Sequence, residues 1–106
     1  MKAEIFNYRT WIKTTVPEEI EKDVTGLLDE AGFKVLKKVN HHFQPVGYTG
    51  VWLLAESHLA IHSFPESDKT YLELASCNKA KTDRFIDLIA KKGLVIETKA
   101  HLSMNP

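Results

Sequence analysis

Two apolar runs rich in β-branched and aromatic residues, Tyr48 to Ala55 and His58 to Phe64, lie almost end to end, with only Glu56 and Ser57 between them. Runs of this composition read as strands of one sheet. In the second run Leu59 and Ile61 share one face, and His58, Ala60 and His62 the other, because strand side chains alternate with a period of two. A Glu-Ser-His step therefore interrupts the most hydrophobic part of the chain. A second histidine, His62, follows five residues after Ser57, and the only cysteine, Cys77, twenty after it.

The rest of the chain supplies a frame for these strands. Phe6 to Thr15 reads as a first strand. Pro17 suits a first helical turn, Glu18 and Glu19 complement the helix dipole, and Ile20, Val24, Leu27, Leu28 and Ala31 recur at helical spacing up to Gly32. Phe33 to Val39 reads as a second strand, and Gln44 to Gly47 as a turn around Pro45 and Gly47. After Phe64, Pro65 to Lys69 is a turn and Thr70 to Ser76 a strand. Thr82 to Lys92 is a helix with Phe85, Ile86 and Ile89 inward, and Leu94 to Lys99 a closing strand. The order β-α-β-β-β-β-α-β predicts a single domain over residues 1–106. Its fold class is α+β: a two-layer α/β sandwich, an antiparallel-rich sheet with two helices on one face. No helix is left to cover the other face, which suggests a homodimer. Trp11 and Trp52 are expected in the core or at that interface.

Composition narrows the function classes. The 106 residues carry 14 basic and 14 acidic side chains and a net charge of zero. That leaves no electrostatic footprint for nucleic acid or an anionic membrane. No apolar run approaches a membrane span, and no secretory signal opens the chain, so a cytoplasmic location is expected. One cysteine allows no internal disulfide and fits a reducing compartment. His58, His62, His41 and His42 are not spaced like a zinc finger, and no metal is expected.

A serine hydroxyl is a weak nucleophile unless a base or strain activates it. If Ser57 Oγ attacked the Glu56 carbonyl, the amide would become an ester. Loss of the Ser57 α-proton would then expel that ester and leave a pyruvoyl group at a new N-terminus. Such a path needs a base, and His62 has the right pKa class. His58, the immediate strand neighbour of Ser57, is the weaker candidate. The products would be residues 1–56 and 57–106. Cys77 could return a proton to a substrate carbanion. Taken alone these residues carry little: a Ser-His pair in a strand is most often structural, and a lone cysteine is usually a small buried hydrophobe.

The longer pattern carries more. His41-His42-Phe43-Gln44-Pro45-Val46-Gly47-Tyr48-Thr49-Gly50 is followed by Ala55-Glu56-Ser57-His58-Leu59-Ala60-Ile61-His62-Ser63-Phe64-Pro65-Glu66, and then by a strand ending in Cys77. This stretch resembles the short prokaryotic form of the S-adenosylmethionine decarboxylase proenzyme family. The resemblance implies self-cleavage at Glu56-Ser57 and a pyruvoyl cofactor derived from Ser57, which forms a Schiff base with the substrate. It further implies that His62 and Thr49 assist processing, that Cys77 is the proton donor, and that Phe43 and Phe64 stack on the adenine. Glu66 would accept hydrogen bonds from the ribose. The implied product feeds spermidine synthesis, from a homodimer with its sites near the interface.

The sequence departs from the family pattern around the substrate. Phe64 stands for the usual Trp, Ser63 for Thr, and Ser67-Asp68-Lys69 for a more aromatic turn. These changes leave the self-processing set intact and bear on specificity. The same chemistry on ornithine or arginine is one alternative. An uncleaved homologue serving as a binding or regulatory subunit is another.

Overall fold

The computed structural model describes residues 3–96. Five strands and two helices follow in the order β1 (Phe6–Ile12), α1 (Pro17–Ala31), β2 (Val35–His42), β3 (Tyr48–Leu54), β4 (Ser57–Phe64), β5 (Lys69–Ser76) and α2 (Lys79–Lys91), with a 3-10 turn at Pro65–Ser67. The sheet order is β1-β5-β4-β3-β2, and every neighbouring pair is antiparallel. Helix α1 therefore connects the two edge strands, and the meander β2 to β5 fills the space between them. Both helices pack on one face, as the apolar periodicity implied.

The core lies between that face and the helices. Ile20, Val24, Leu27 and Leu28 of α1 and Phe85 and Ile89 of α2 meet Trp52, Leu54, Leu59, Ile61, Leu72 and Leu74 of the sheet, all of them essentially inaccessible. Trp52 is thus a core residue, with its indole N–H donating to Thr25 Oγ1 at 3.1 Å. Ile86 is only half-buried. Among the described residues no helix covers the second face, where Val39, Val51 and Leu53 stand 61, 38 and 49 % exposed. No helix of the described residues is long and apolar enough to cross a membrane.

Strand β1 ends at Ile12 rather than Thr15, and three further boundaries differ from the sequence reading for a local reason. Helix α1 ends with Gly32 at φ 94°, and the Phe33 N–H returns to the Leu28 carbonyl, a closing motif that draws Phe33 into the helix end. Strand β2 consequently starts two residues later and runs on to His42. Helix α2 starts at Lys79 rather than Thr82, because Asn78 Oδ1 accepts the Lys81 N–H and caps the first turn. The closing strand expected at Leu94 to Lys99 is seen as a bridge between Val95 and Ile12, flanked by backbone hydrogen bonds from the Lys13 N–H to the Leu94 carbonyl and from the Ile96 N–H to the Trp11 carbonyl. Residues 97–99 lie outside the described residues.

Edge strand β2 is exposed along its whole length, so pairing alone does not anchor it to the helical layer. Glu21 of α1 does: its carboxylate receives Lys38 Nζ and Asn40 Nδ2 from β2 and Tyr48 Oη from β3. The Lys38 bond, with Tyr48 next, holds the Glu21 carboxyl down to about 2 against the opposing effect of burial. Burial, with Glu21 beside it, pushes the Tyr48 phenol up to about 12.

Candidate active site

The Glu56-Ser57 step sits at the tip of the β3–β4 hairpin. Leu54 pairs with Ser57, so Ala55 and Glu56 alone make the turn. That short connection forces Glu56 to φ 63°, a left-handed conformation that costs a residue with a Cβ roughly 1–2 kcal/mol. The peptide that the sequence marks as a breakpoint therefore follows a backbone residue held in an unfavourable well.

Ser57 is half-buried and pairs across β5 with the fully buried Ser76. One residue beyond Ser76, Cys77 turns its thiol to the hairpin tip, and Sγ donates to the Glu56 carbonyl oxygen at 3.3 Å. A carbonyl that accepts this bond is polarised toward attack at its carbon. Two cavities open beside the step. One of about 640 Å³ is bordered by Phe6, Phe33, Glu56, Ser57, Cys77 and Lys81. Another of about 540 Å³ lies toward the open face and includes Leu53, Ser57, His58 and Ala75 in its wall.

The remaining candidates gather at the opposite end of the same strands. Thr49 and His62 are directly opposed on β3 and β4, and Thr49 Oγ1 lies 2.9 Å from His62 Nδ1. Phe64 packs its ring against Trp11 at 5.9 Å between centroids, and Phe43 packs on His41 at 4.6 Å. Both phenyl rings remain about half exposed, and Glu66 is exposed in the turn that follows β4. Phe43 also borders a cavity of about 300 Å³ with Tyr48, Ser63 and Pro65.

The two groups do not meet within one chain. Ser57 and His62 are five residues apart on one strand, a separation of about 16 Å at the rise of a strand. The hydroxyl and thiol are brought together at one end of β4, and the imidazole, Thr49, both phenylalanines and Glu66 stand at the other.

A family model for S-adenosylmethionine decarboxylase matches residues 11–101. This chain belongs to the S-adenosylmethionine decarboxylase family. Among its relatives are two S-adenosylmethionine decarboxylase proenzymes. That of Prochlorococcus marinus (strain MIT 9313) is 41 % identical over 54 residues, covering 51 % of this chain and 43 % of the relative. That of Persephonella marina is 36 % identical over 75 residues, covering 70 % of this chain and 56 % of the relative. The chain thus spans about half the length of the curated relatives it matches. The fold is shared with the crystal structure of the adenosylmethionine decarboxylase from Aquifex aeolicus VF5, at a TM-score of 0.71 and 24 % identity over 89 % of this chain and 84 % of that one. The sheet with two helices on one face is accordingly the architecture of an S-adenosylmethionine decarboxylase family member.

Sequence reasoning overlooked the surroundings of His62. Tyr71 stacks on the imidazole, and Trp11 leans on Tyr71 at 5.5 Å. The signal was present in the alternation of β1 and β5, which puts Trp11 and Tyr71 on the same open face as His62. Only the strand order shows that they are neighbours.

Proposed function

We propose that this chain is the proenzyme of a pyruvoyl-dependent S-adenosylmethionine decarboxylase that cuts itself between Glu56 and Ser57 and acts as a homodimer. The observation that carries the reading is the Cys77 thiol on the carbonyl of the left-handed Glu56.

In processing, Ser57 Oγ adds to the Glu56 carbonyl carbon while the Cys77 Sγ–H supports the charge gathering on the oxygen. The C–N bond breaks, the nitrogen leaves as the Ser57 amine, and an ester joins the two residues. A base then removes the Ser57 α-proton, the Cβ–O bond breaks, and residues 1–56 depart with the Glu56 carboxylate. Water replaces the remaining nitrogen, which leaves as ammonia. The pyruvoyl group so produced supplies a carbonyl that takes the substrate amine and accepts the electrons released with CO2. Ser57 at the junction of two cavities suits a group that a substrate must reach. In turnover the Cys77 Sγ–H is the proton source for the carbon that has lost its carboxylate.

His62 serves this chemistry from a second copy. A two-fold axis across the strands near Ala60 lays β4 antiparallel over its counterpart and brings His62 of each copy to the Glu56–Ser57 hairpin tip of the other. The exposed Val39, Val51 and Leu53 then become a self-complementary apolar surface. The same operation carries Phe43, Phe64 and Glu66 to the Ser57 end. There the aromatic faces stack on the adenine, one of them beside the sulfonium, and Glu66 takes the ribose hydroxyls.

Intact mass tests processing: the 12.1 kDa chain is expected to resolve into two fragments of roughly half that mass, and Ser57→Ala to remain whole. An unprocessed wild type refutes the reading. CO2 is expected from S-adenosylmethionine and not from ornithine or arginine. Mixing two uncleaved variants, Ser57→Ala and His62→Ala, tests the shared site. Cleavage of the His62→Ala chain in the mixed dimer supports it, and a mixed dimer that stays whole refutes it.

A further inference from the structure

One row of side chains crosses the whole open face at a single level. Pairing register sets Trp11 of β1 opposite Tyr71 of β5, Tyr71 opposite His62 of β4, His62 opposite Thr49 of β3, and Thr49 opposite His41 of β2. Within this row the His62 ring has a contact on each side. Thr49 Oγ1 meets Nδ1 at 2.9 Å, which fixes one nitrogen. The Tyr71 ring lies nearly parallel to the imidazole, at 15° and 6.3 Å between centroids, which limits rotation of its plane.

Tyr71 is itself held at both ends. Its ring takes the edge of Trp11 at 5.5 Å and 63°. Its hydroxyl donates to Glu73 Oε1 at 2.7 Å, on the same face of the same strand. Burial, and then the Glu73 carboxylate, push the phenol up to about 12, so it stays protonated and keeps donating at neutral pH. An imidazole on an open sheet face samples several rotamers, and a proton acceptor that wanders by 1 Å loses much of its rate.

We propose that Tyr71 is a positioning residue for His62: clamped by Trp11 and Glu73, its ring holds the imidazole in the orientation that Thr49 completes. The inference rests on the reading above that His62 acts in processing and names a residue through which it is aimed.

The imidazole signals of His62 are followed by long-range proton–nitrogen NMR in the uncleaved Ser57→Ala protein, with Tyr71→Phe, Tyr71→Leu and Tyr71→Ala added in turn. Cleavage rates of the same Tyr71 variants are measured with Ser57 intact. Tyr71→Phe keeps the ring and is expected to hold the His62 signals and the rate near those of the parent. Tyr71→Leu and Tyr71→Ala are expected to shift the His62 signals, to average its rotamers, and to slow cleavage by about tenfold or more. Backbone amide spectra show whether each variant is folded, and leucine keeps an apolar strand residue should alanine fail. Unchanged His62 signals in a folded Tyr71→Leu protein overturn the proposal. Should the parent with Ser57 intact never cleave, the processing reading fails by itself, and the imidazole signals still decide the role of Tyr71.

Discussion

The left-handed Glu56 offers a direct way to weigh what strain contributes to self-cleavage. Glu56→Ala removes the carboxylate and keeps the Cβ, so the backbone penalty at φ 63° remains. Glu56→Gly removes both. The difference between these two variants therefore isolates the conformational term, which is roughly 1–2 kcal/mol for a residue with a Cβ in this region. If the hairpin relaxes as the Glu56–Ser57 amide becomes an ester, that energy lowers the barrier in the alanine protein and is missing in the glycine one. At 1.36 kcal/mol per decade of rate, glycine should cleave about five- to thirtyfold more slowly than alanine.

Stability should move in the other direction. In an uncleavable Ser57→Ala background, glycine gains the released 1–2 kcal/mol and loses about 0.5–1 kcal/mol to its freer unfolded chain. It should thus be up to about 1.5 kcal/mol more stable than alanine by denaturant titration. Cleavage is read as the decay of the intact mass after rapid refolding. Glu56→Gln, with the penalty and the bulk both retained, should track the alanine variant. A glycine variant that cleaves as fast as the alanine one, while folded, would refute the idea that the turn stores energy for the reaction.

Other consequences follow from contacts elsewhere. A Cβ on Gly50 would sit 3.0 Å from Trp52 Cζ3, on an indole that is fully buried and tied to Thr25. Gly50→Ala should therefore lose about 1–2 kcal/mol by denaturant titration, as the overpacking exceeds the gain in strand propensity; an unchanged midpoint would count against it. Because Glu21 is held at about 2 against an ordinary 4.5, its stabilisation is present above pH 4.5 and fades as pH falls toward 2. Acid titration should show this loss in the wild type and a flatter limb in Glu21→Gln, and parallel curves would dismiss the network. Cys77→Ala removes the donor on the Glu56 carbonyl, a bond worth about 0.5–1 kcal/mol, and should slow cleavage two- to fivefold. A rate equal to wild type would show that the thiol acts only later.

Fold class was legible because the two periods are clean where the core is. Ile20, Val24, Leu27, Leu28 and Ala31 repeat at helical spacing, and Leu59 and Ile61 alternate with His58, Ala60 and His62, and all seven are buried. Legibility fails where burial does not constrain the residues. Strand β2 has no buried position, so its ends could not be placed from pattern, and the first turn of α2 is set by the Asn78 cap rather than by apolar residues. Trp52 shows the limit of composition: nothing local separates a core tryptophan from an interface one, and only the strand order puts it against α1 through Thr25.

The candidate site could be named from sequence as a set of residues but not as an arrangement, and the reason lies in the strand itself. Ser57 and His62 attract attention because they are close in sequence. A helix would have kept residues five apart within about 8 Å along its axis, but a strand puts them about 16 Å apart. Cys77, distant in sequence, is the group that reaches the hairpin tip, because the antiparallel turn at residues 65–67 returns β5 alongside β4. Proximity in a meander thus runs across strands and not along them. By that rule Thr49 and Tyr71 are the true neighbours of His62. In the proposed processing, the base for Ser57 then comes from a chain whose β4 runs the other way. An uncovered face that carries His62 at one end and runs to the Glu56 hairpin tip at the other, with the exposed Val51 and Leu53 between them, is the arrangement in which a second copy would meet that requirement.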